Sequence, residues 1–220
     1  MAAALGVYGG CFDPFHRSHA AIAAAAPRQL PIERLLVAPT ARPWQRQAHA
    51  SLADRRAICA AALADIDGAE LIDDPVEPGA DSTTAQLLEA LRAEHGRPLI
   101  FIVGGDAFAG IASWRRWEEA LALASWAVIP RAGDEAWRPA IADLEARTVA
   151  DPALLAAESG RIWRWDLRPP PLAASSIRAR IAAGAPGWEE DLPPTAAALA
   201  AGAYGGGPAT IESQAMRSSP

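Results

Sequence analysis

Two histidines, His16 and His19, stand three residues apart in the stretch Gly9-Gly10-Cys11-Phe12-Asp13-Pro14-Phe15-His16-Arg17-Ser18-His19. Glycines directly after a buried strand let the backbone turn tightly and approach a ligand with no Cβ in the way. If a helix begins near Pro14 to Phe15, both imidazoles project from its first turn, beside unpaired backbone N–H groups and the positive end of the helix dipole. That is chemistry for holding a chain of phosphates. The glycine spacing is not the G-x-G-x-x-G of dinucleotide-binding turns, and no Lys followed by Ser or Thr marks a P-loop. Zinc is the rival use of two imidazoles. The one nearby soft ligand, Cys11, lies on the other side of the turn, so no metal ligand is assigned within the chain.

A second constellation lies far downstream, in Leu172-Ala173-Ala174-Ser175-Ser176-Ile177-Arg178-Ala179-Arg180-Ile181. A serine before an apolar periodic run is an N-cap signal, so Ser175 or Ser176 is expected to open a helix whose free N–H groups can bind an anion. Arg178 then falls in the first turn. A cation there opposes the helix dipole unless a phosphate is its neighbour. Taken alone, the segment is equally an ordinary cap with a solvated arginine.

The elements that must carry these residues are short and regular. Strand-length apolar runs occur at Leu5 to Tyr8, Arg34 to Ala38, Leu99 to Val103, Trp126 to Ile129 and Arg161 to Trp165, with Glu70 to Ile72 a weaker one. They are continuous rather than alternating, as strands buried on both faces of a parallel sheet require. Helical stretches lie between them, at Ala20 to Ala26, Ser51 to Ala64, Ser82 to Glu94 and Trp114 to Ala124, with a last one near Thr195 to Ala201. Ser82 is the expected N-cap of the third and Gly96 its stop. The alternation predicts an α/β fold, a doubly wound, Rossmann-like parallel sheet with helices on both faces, whose ligands sit at the carboxyl ends of the strands.

The 220 residues suffice for one such domain, expected over residues 1–204. From 205 to 220 the chain lacks the apolar content to pack and is expected to be a disordered tail. A net charge of −6 and a pI near 5.2 argue against a polyanion-binding surface, so no nucleic-acid partner is expected. Two cysteines, no signal-like N-terminus and no apolar run near the ~20 residues of a membrane span place the chain in the cytoplasm, off the membrane.

The motif Gly9-Gly10-x-Phe12-Asp13-Pro14-x-His16-x-x-His19, paired with the late Ser-x-Ile-Arg helix start, resembles the nucleotidylyltransferase superfamily. Over roughly residues 5 to 204 the chain is similar to the bacterial nicotinate-nucleotide adenylyltransferases, which make deamido-NAD from ATP and nicotinate mononucleotide. The resemblance rests further on Pro39-Thr40-Ala41-Arg42-Pro43, Ser82-Thr83-Thr84, Gly104-Gly105-Asp106 and Ser113-Trp114-Arg115-Arg116-Trp117-Glu118-Glu119. It implies that His16, His19 and Arg178 are catalytic, and that Gly9, Gly10, Phe12, Ser175 and Ile177 complete an ATP site. Substrate contacts are implied at Arg46, Thr84, Gly104, Asp106, Trp114 and Arg131, with Mg²⁺ accompanying ATP. Trp114 would stack on the pyridine ring, although Trp114, Trp117 and Leu121 also have the spacing of a packed helix stripe.

The chain departs from the family pattern at several positions. Ser18 replaces a glycine, where its side chain would either crowd ATP or donate a hydrogen bond. Ala173 and Ala174 replace serines, Gln45 a histidine, Thr83 a tyrosine, and Cys11 a threonine or serine. The loop of residues 40–50, with Arg42, Arg46 and Gln47 and no apolar anchors, is expected to be mobile, and His49 and His95 are expected to have no partners of catalytic interest. Nicotinamide mononucleotide or phosphopantetheine is the alternative acceptor, a cytidylyltransferase is less favoured, and a regulator that binds nucleotide without turnover is the alternative from another class.

Overall fold

The computed structural model describes residues 3–45, 47–77, 79–130, 138, 141 and 143–206. Six strands pair in parallel in the order β3-β2-β1-β4-β5-β6. They are β1 (Ala4–Gly10), β2 (Ile32–Pro39), β3 (Ala69–Leu71), β4 (Leu99–Gly104), β5 (Ser125–Ile129) and β6 (Ile162–Arg164). All six strand segments expected from the apolar runs form, and the sheet is the doubly wound, Rossmann-like one. The weakest of them, β3, and the short β6 are the two edges, where pairing on one side alone supports fewer residues.

Helices α1 (Arg17–Gln29), α2 (Leu52–Leu63), α3 (Thr84–His95), α4 (Gly105–Ala109), α5 (Trp117–Leu123), α6 (Leu144–Arg147), α7 (Ala174–Ala182) and α8 (Pro194–Tyr204) connect and cover the strands. Alternate residues of each strand enter separate cores. Tyr8, Leu35 and Ile100 meet α1, α2, α7 and α8 on one face, while Val7, Leu36 and Phe101 meet α3 and α5 on the other. This two-sided burial is why the strands read as unbroken apolar runs.

Helix boundaries follow capping chemistry. Ser51 Oγ accepts from the Asp54 N–H at 3.1 Å ahead of α2, and Gly96 closes α3 at φ 60, a left-handed cap. Two expected boundaries are corrected. The N-cap of α3 is Thr83, whose Oγ1 accepts from the Gln86 N–H at 3.3 Å, and not Ser82. Ser82 is buried instead, its Oγ accepting from the Arg42 N–H at 2.9 Å. Trp114 is not helical: a 3₁₀ turn over Ile111–Ser113 ends on it in an extended conformation, and α5 begins only at Trp117 after Arg116 at φ 57. Trp114, Trp117 and Leu121 therefore do not form one helix stripe. From residue 207 onward the expected tail lies outside the described residues.

Strand order reverses between β1 and β4, so the chain departs in opposite directions from their adjacent carboxyl ends and leaves a crevice there. Both site motifs meet in it.

Candidate active site

A cleft of about 1440 Å³ opens at the carboxyl ends of β1 and β4. His16 and His19, Gly9, Gly10 and Phe12, Thr84, Gly104 and Asp106, Trp114, Ser175 and Arg178 all line it. Residues far apart in the chain are thus brought together. Ile177 is not among them: its side chain is 1 % exposed and packs in the core, where an apolar residue on the inner face of α7 belongs. Arg46 and Arg131 lie outside the described residues.

His16 is the N-cap of α1 and His19 sits in its first turn. The two rings stack, with centroids 3.8 Å apart and planes 19° from parallel. The backbone N–H of His16 donates to His19 Nδ1 at 3.2 Å, which fixes the proton of the neutral His19 ring on Nε2. Phe12 and Phe15 hold the His19 ring from two sides, at 5.1 and 5.3 Å. Burial pushes the His16 pKa down to about 4. Burial, and then the neighbouring His16, hold His19 well below the usual imidazole range. Both rings are therefore neutral donors at pH 7, not cations.

The glycines serve a purpose different from the one their motif suggests. A Cβ on Gly9 would meet the Phe101 ring at 3.2 Å, and one on Gly10 would meet the Phe12 ring at 3.0 Å. They make room for aromatic rings beneath the site. The positive φ of this turn is carried by Phe12, at 46°, and not by a glycine.

Across the cleft, α7 is capped by Ala173 without a side-chain hydrogen bond, which corrects the expectation that Ser175 or Ser176 caps it. Ser175 is the second helical residue and Arg178 the fifth, two or three residues further in than expected. The N–H groups of Ser176 and Ile177 return to the Ala173 carbonyl at 3.0 and 3.2 Å. Those of Ala174 and Ser175 have no acceptor among the described residues. A bare helix start of this kind faces anions favourably. Arg178 commits one arm to the Asp13 carbonyl at 2.5 Å.

At the other end of the cleft, Gly104 closes β4 and Asp106 follows in the first turn of α4. A Cβ on Gly104 would meet nothing within 4 Å, so packing does not demand glycine there. Trp114 braces edge-on against the fully buried Trp126 at 6.2 Å. Thr84 opens α3 beside it. The loop of residues 40–50 is tied at both ends: the Ala41 N–H donates to Asp74 at 2.8 Å, and the His49 and Ala50 N–H groups donate to Asp13 at 2.8 and 3.2 Å. Trp44, Gln45 and Gln47 are exposed between these ties.

Residues 7–180 match the cytidylyltransferase-like family model. The chain is 36% identical over 203 residues to a "Probable nicotinate-nucleotide adenylyltransferase" of Stenotrophomonas maltophilia, covering 86% of this chain and 90% of the relative. A relative of the same name from Chromobacterium violaceum is 36% identical over 194 residues, covering 84% and 91%. The chain belongs to the nicotinate-nucleotide adenylyltransferase family. Its fold is that of the Plasmodium falciparum nicotinic acid mononucleotide adenylyltransferase complexed with NaAD, at a TM-score of 0.69 and 15% identity, covering 90% of this chain and 94% of that one.

Against this family background, two residues, Asp13 and Tyr204, were not singled out by sequence reasoning. Asp13 is quoted in the motif with no role, yet its carboxylate is a hub. It accepts from the Tyr204 hydroxyl at 2.7 Å and from the two loop N–H groups, and it lies 3.2 Å from His49 Nδ1 and 3.7 Å from Arg178. Burial alone would raise its pKa. Donation from His49, Tyr204 and Ala50, with the Arg178 charge, outweighs burial and holds the carboxyl below its usual range. His49 thus has a partner, contrary to expectation, and Tyr204 brings the end of α8 onto the histidine motif. A buried acid in a Pro-containing turn is the only sequence signal that could have drawn attention to Asp13. Ser18 lines the cleft, and its Oγ donates to the Pro170 carbonyl at 2.5 Å, which joins α1 to the approach of α7.

Proposed function

We propose that this chain transfers the adenylyl group of ATP to nicotinate mononucleotide, releasing pyrophosphate and forming deamido-NAD, with residues 1–204 as the catalytic domain. The observation that carries this reading is the stacked pair of neutral imidazoles facing the bare start of α7 across one cleft. A 5′-phosphate oxygen of the mononucleotide attacks the α-phosphorus of ATP. A P–O bond forms, the bond to the bridging oxygen breaks, and pyrophosphate leaves with the electron pair. The attacking oxygen is already anionic at pH 7, so no general base is needed. The work is alignment and stabilisation of charge on the phosphates.

The neutral rings suit that work. His19 offers Nε2–H as a directed donor, and His16 stacks on it and fixes its plane. Arg178 and the first N–H groups of α7 supply positive potential from the opposite wall. On the acceptor side, Thr84, Gly104, Asp106 and Trp114 would take the mononucleotide, with Trp114 stacking on its ring.

Enzymes of this family generally use a divalent metal with the nucleotide. Among the described residues no group of three or more His, Cys, Asp or Glu is placed to hold one. Mg²⁺ would enter on the triphosphate, since it keeps water and phosphate oxygens and needs few protein ligands. When bound, it neutralises phosphate charge. No helix among the described residues is long and apolar enough to cross a membrane, and we place the reaction in the cytoplasm because two cysteines are too few for a disulfide framework.

The test is pyrophosphate release from ATP and Mg²⁺ with nicotinate mononucleotide, nicotinamide mononucleotide and phosphopantetheine supplied separately. Turnover is expected with the first and weaker or absent with the others. ATP binding with no release for any acceptor would replace this reading by that of a nucleotide-binding regulator.

A further inference from the structure

Arg55 is 1 % exposed and lies in α2, behind the wall of the cleft rather than in it. Its Nη1 donates to the carbonyls of Cys11 at 2.7 Å and Thr40 at 2.9 Å, and Nη2 reaches the Ala41 carbonyl at 3.4 Å. Nε has no partner, and among the described residues no carboxylate pairs with the guanidinium. A buried charge without a counter-ion is costly, and three carbonyl dipoles offset that cost only in part. The residue stands where β1 and β2 end, and the Thr40 N–H donates to the Gly10 carbonyl at 2.9 Å across the same junction.

The Cys11-Phe12 peptide is trans, since Asp13-Pro14 is the cis bond found among the described residues. In a planar trans peptide the carbonyl and the N–H point in opposite directions. With the Cys11 carbonyl turned inward to Arg55, the Phe12 N–H is turned away from it, to the side on which Cys11 and Phe12 line the cleft. That N–H has no acceptor among the described residues. A cation on the carbonyl also polarises the peptide and strengthens its N–H as a donor.

We propose that Arg55 is a positioning residue for polyphosphate: it sets the Cys11-Phe12 N–H towards the cleft and stands behind it as a buried positive charge that a bound polyanion compensates. The proposal rests on the reading of the cleft as an ATP site. It predicts a dependence on phosphate number, because a charge near the phosphates has no reason to act on the nucleoside.

The experiment titrates adenosine, AMP, ADP and ATP into the full-length protein and its R55M and R55K variants, directly or by competition. The wild type is expected to bind more tightly with each added phosphate. R55M is expected to lose roughly tenfold or more in ATP affinity, as for a charge-assisted contact, with adenosine affinity unchanged. R55K, which keeps the charge but cannot serve three carbonyls, is expected to fall between the two. An equal loss for adenosine and ATP would mark Arg55 as purely structural, and a ladder as steep as the wild type's in both variants would also overturn the proposal. If R55M fails to fold, R55K alone decides by the same ratio. Absence of any phosphate dependence in the wild type itself would remove the ATP reading and the proposal together, and that result is distinct from a loss of steepness confined to the variants.

Discussion

The two walls of the cleft are built in different ways. On the β1 side, His16 is 4 % exposed, His19 is wedged between Phe12 and Phe15, and the rings stack on one another. The imidazoles are held by packing against one another and against the phenylalanine rings. On the α7 side the helix start is exposed, has no side-chain cap, and is joined to the first wall through Ser18 to Pro170 and Arg178 to Asp13. Atoms that must meet the reacting phosphorus gain from a fixed environment, since preorganised donors cost no reorganisation when charge develops. The second wall is positioned by reference to the first, so its accuracy depends on a few polar links.

Removing a donor from the rigid wall should therefore have the largest effect on turnover. His19→Ala is expected to lower kcat by roughly 10²–10³ with little change in thermal unfolding. Turnover near that of the wild type would show that the packed imidazole does not serve the reaction.

Removing the hub between the walls should act on stability first. Asp13→Ala leaves the Tyr204 hydroxyl and two backbone N–H groups without their acceptor and takes the carboxylate charge away from Arg178, 3.7 Å off, whose hydrogen bond to the Asp13 carbonyl remains. A loss of about 2–4 kcal/mol in urea unfolding is expected, with a weakened grip on ATP. A loss below about 1 kcal/mol would mean that Asp13 is only a local turn residue, and the contrast between the walls would lose its mechanical basis.

Acid tests both walls together. His16, with a folded pKa of about 4, and His19, also lowered, take up protons in the unfolded chain before the folded one. Stability is therefore lost as pH falls below about 6.5, with a slope approaching ~1.4 kcal/mol per pH unit for each histidine. Asp13 has a depressed folded pKa, so its contribution is present above the ordinary carboxylate range and is lost as pH falls through its folded value. Turnover measured on protein that is still folded is expected to show no histidine titration near pH 6.5. An ionisation in kcat at that pH would contradict the neutral, desolvated pair.

The contrast between the walls also explains how much was legible in the sequence. The sheet was, because continuous apolar runs such as Leu99 to Val103 have one stable use in a chain of this length. The histidine wall was, because its residues are adjacent and their spacing places them in one helical turn. The start of α7 was legible only to within two residues: with alanines at 173 and 174 there is no capping side chain to mark it, and Ser175 drew the boundary inward. Trp114 misled through a helical spacing that Arg116, in a left-handed conformation, interrupts. The Asp13 hub and the inward arm of Arg55 were not legible, since their partners are 191 and 44 residues away and a single acidic or basic residue has no periodicity to betray it.

The smallest effect is expected at the link between the walls that substitutes least. Ser18 is buried, and its hydroxyl donates to the Pro170 carbonyl on the approach to α7. Ser18→Ala keeps the helical backbone of α1 and removes that bond alone, a contribution of about 1 kcal/mol. Because the bond orients the second wall and touches no reacting atom, its loss should raise the KM for ATP by about fivefold and leave kcat nearly unchanged. Ser18→Gly would confound this with the added backbone freedom of glycine inside a helix. A fall in kcat with KM unchanged would place the serine on the reaction path, and an unchanged KM would show that α7 is held by Arg178 and Asp13 without it.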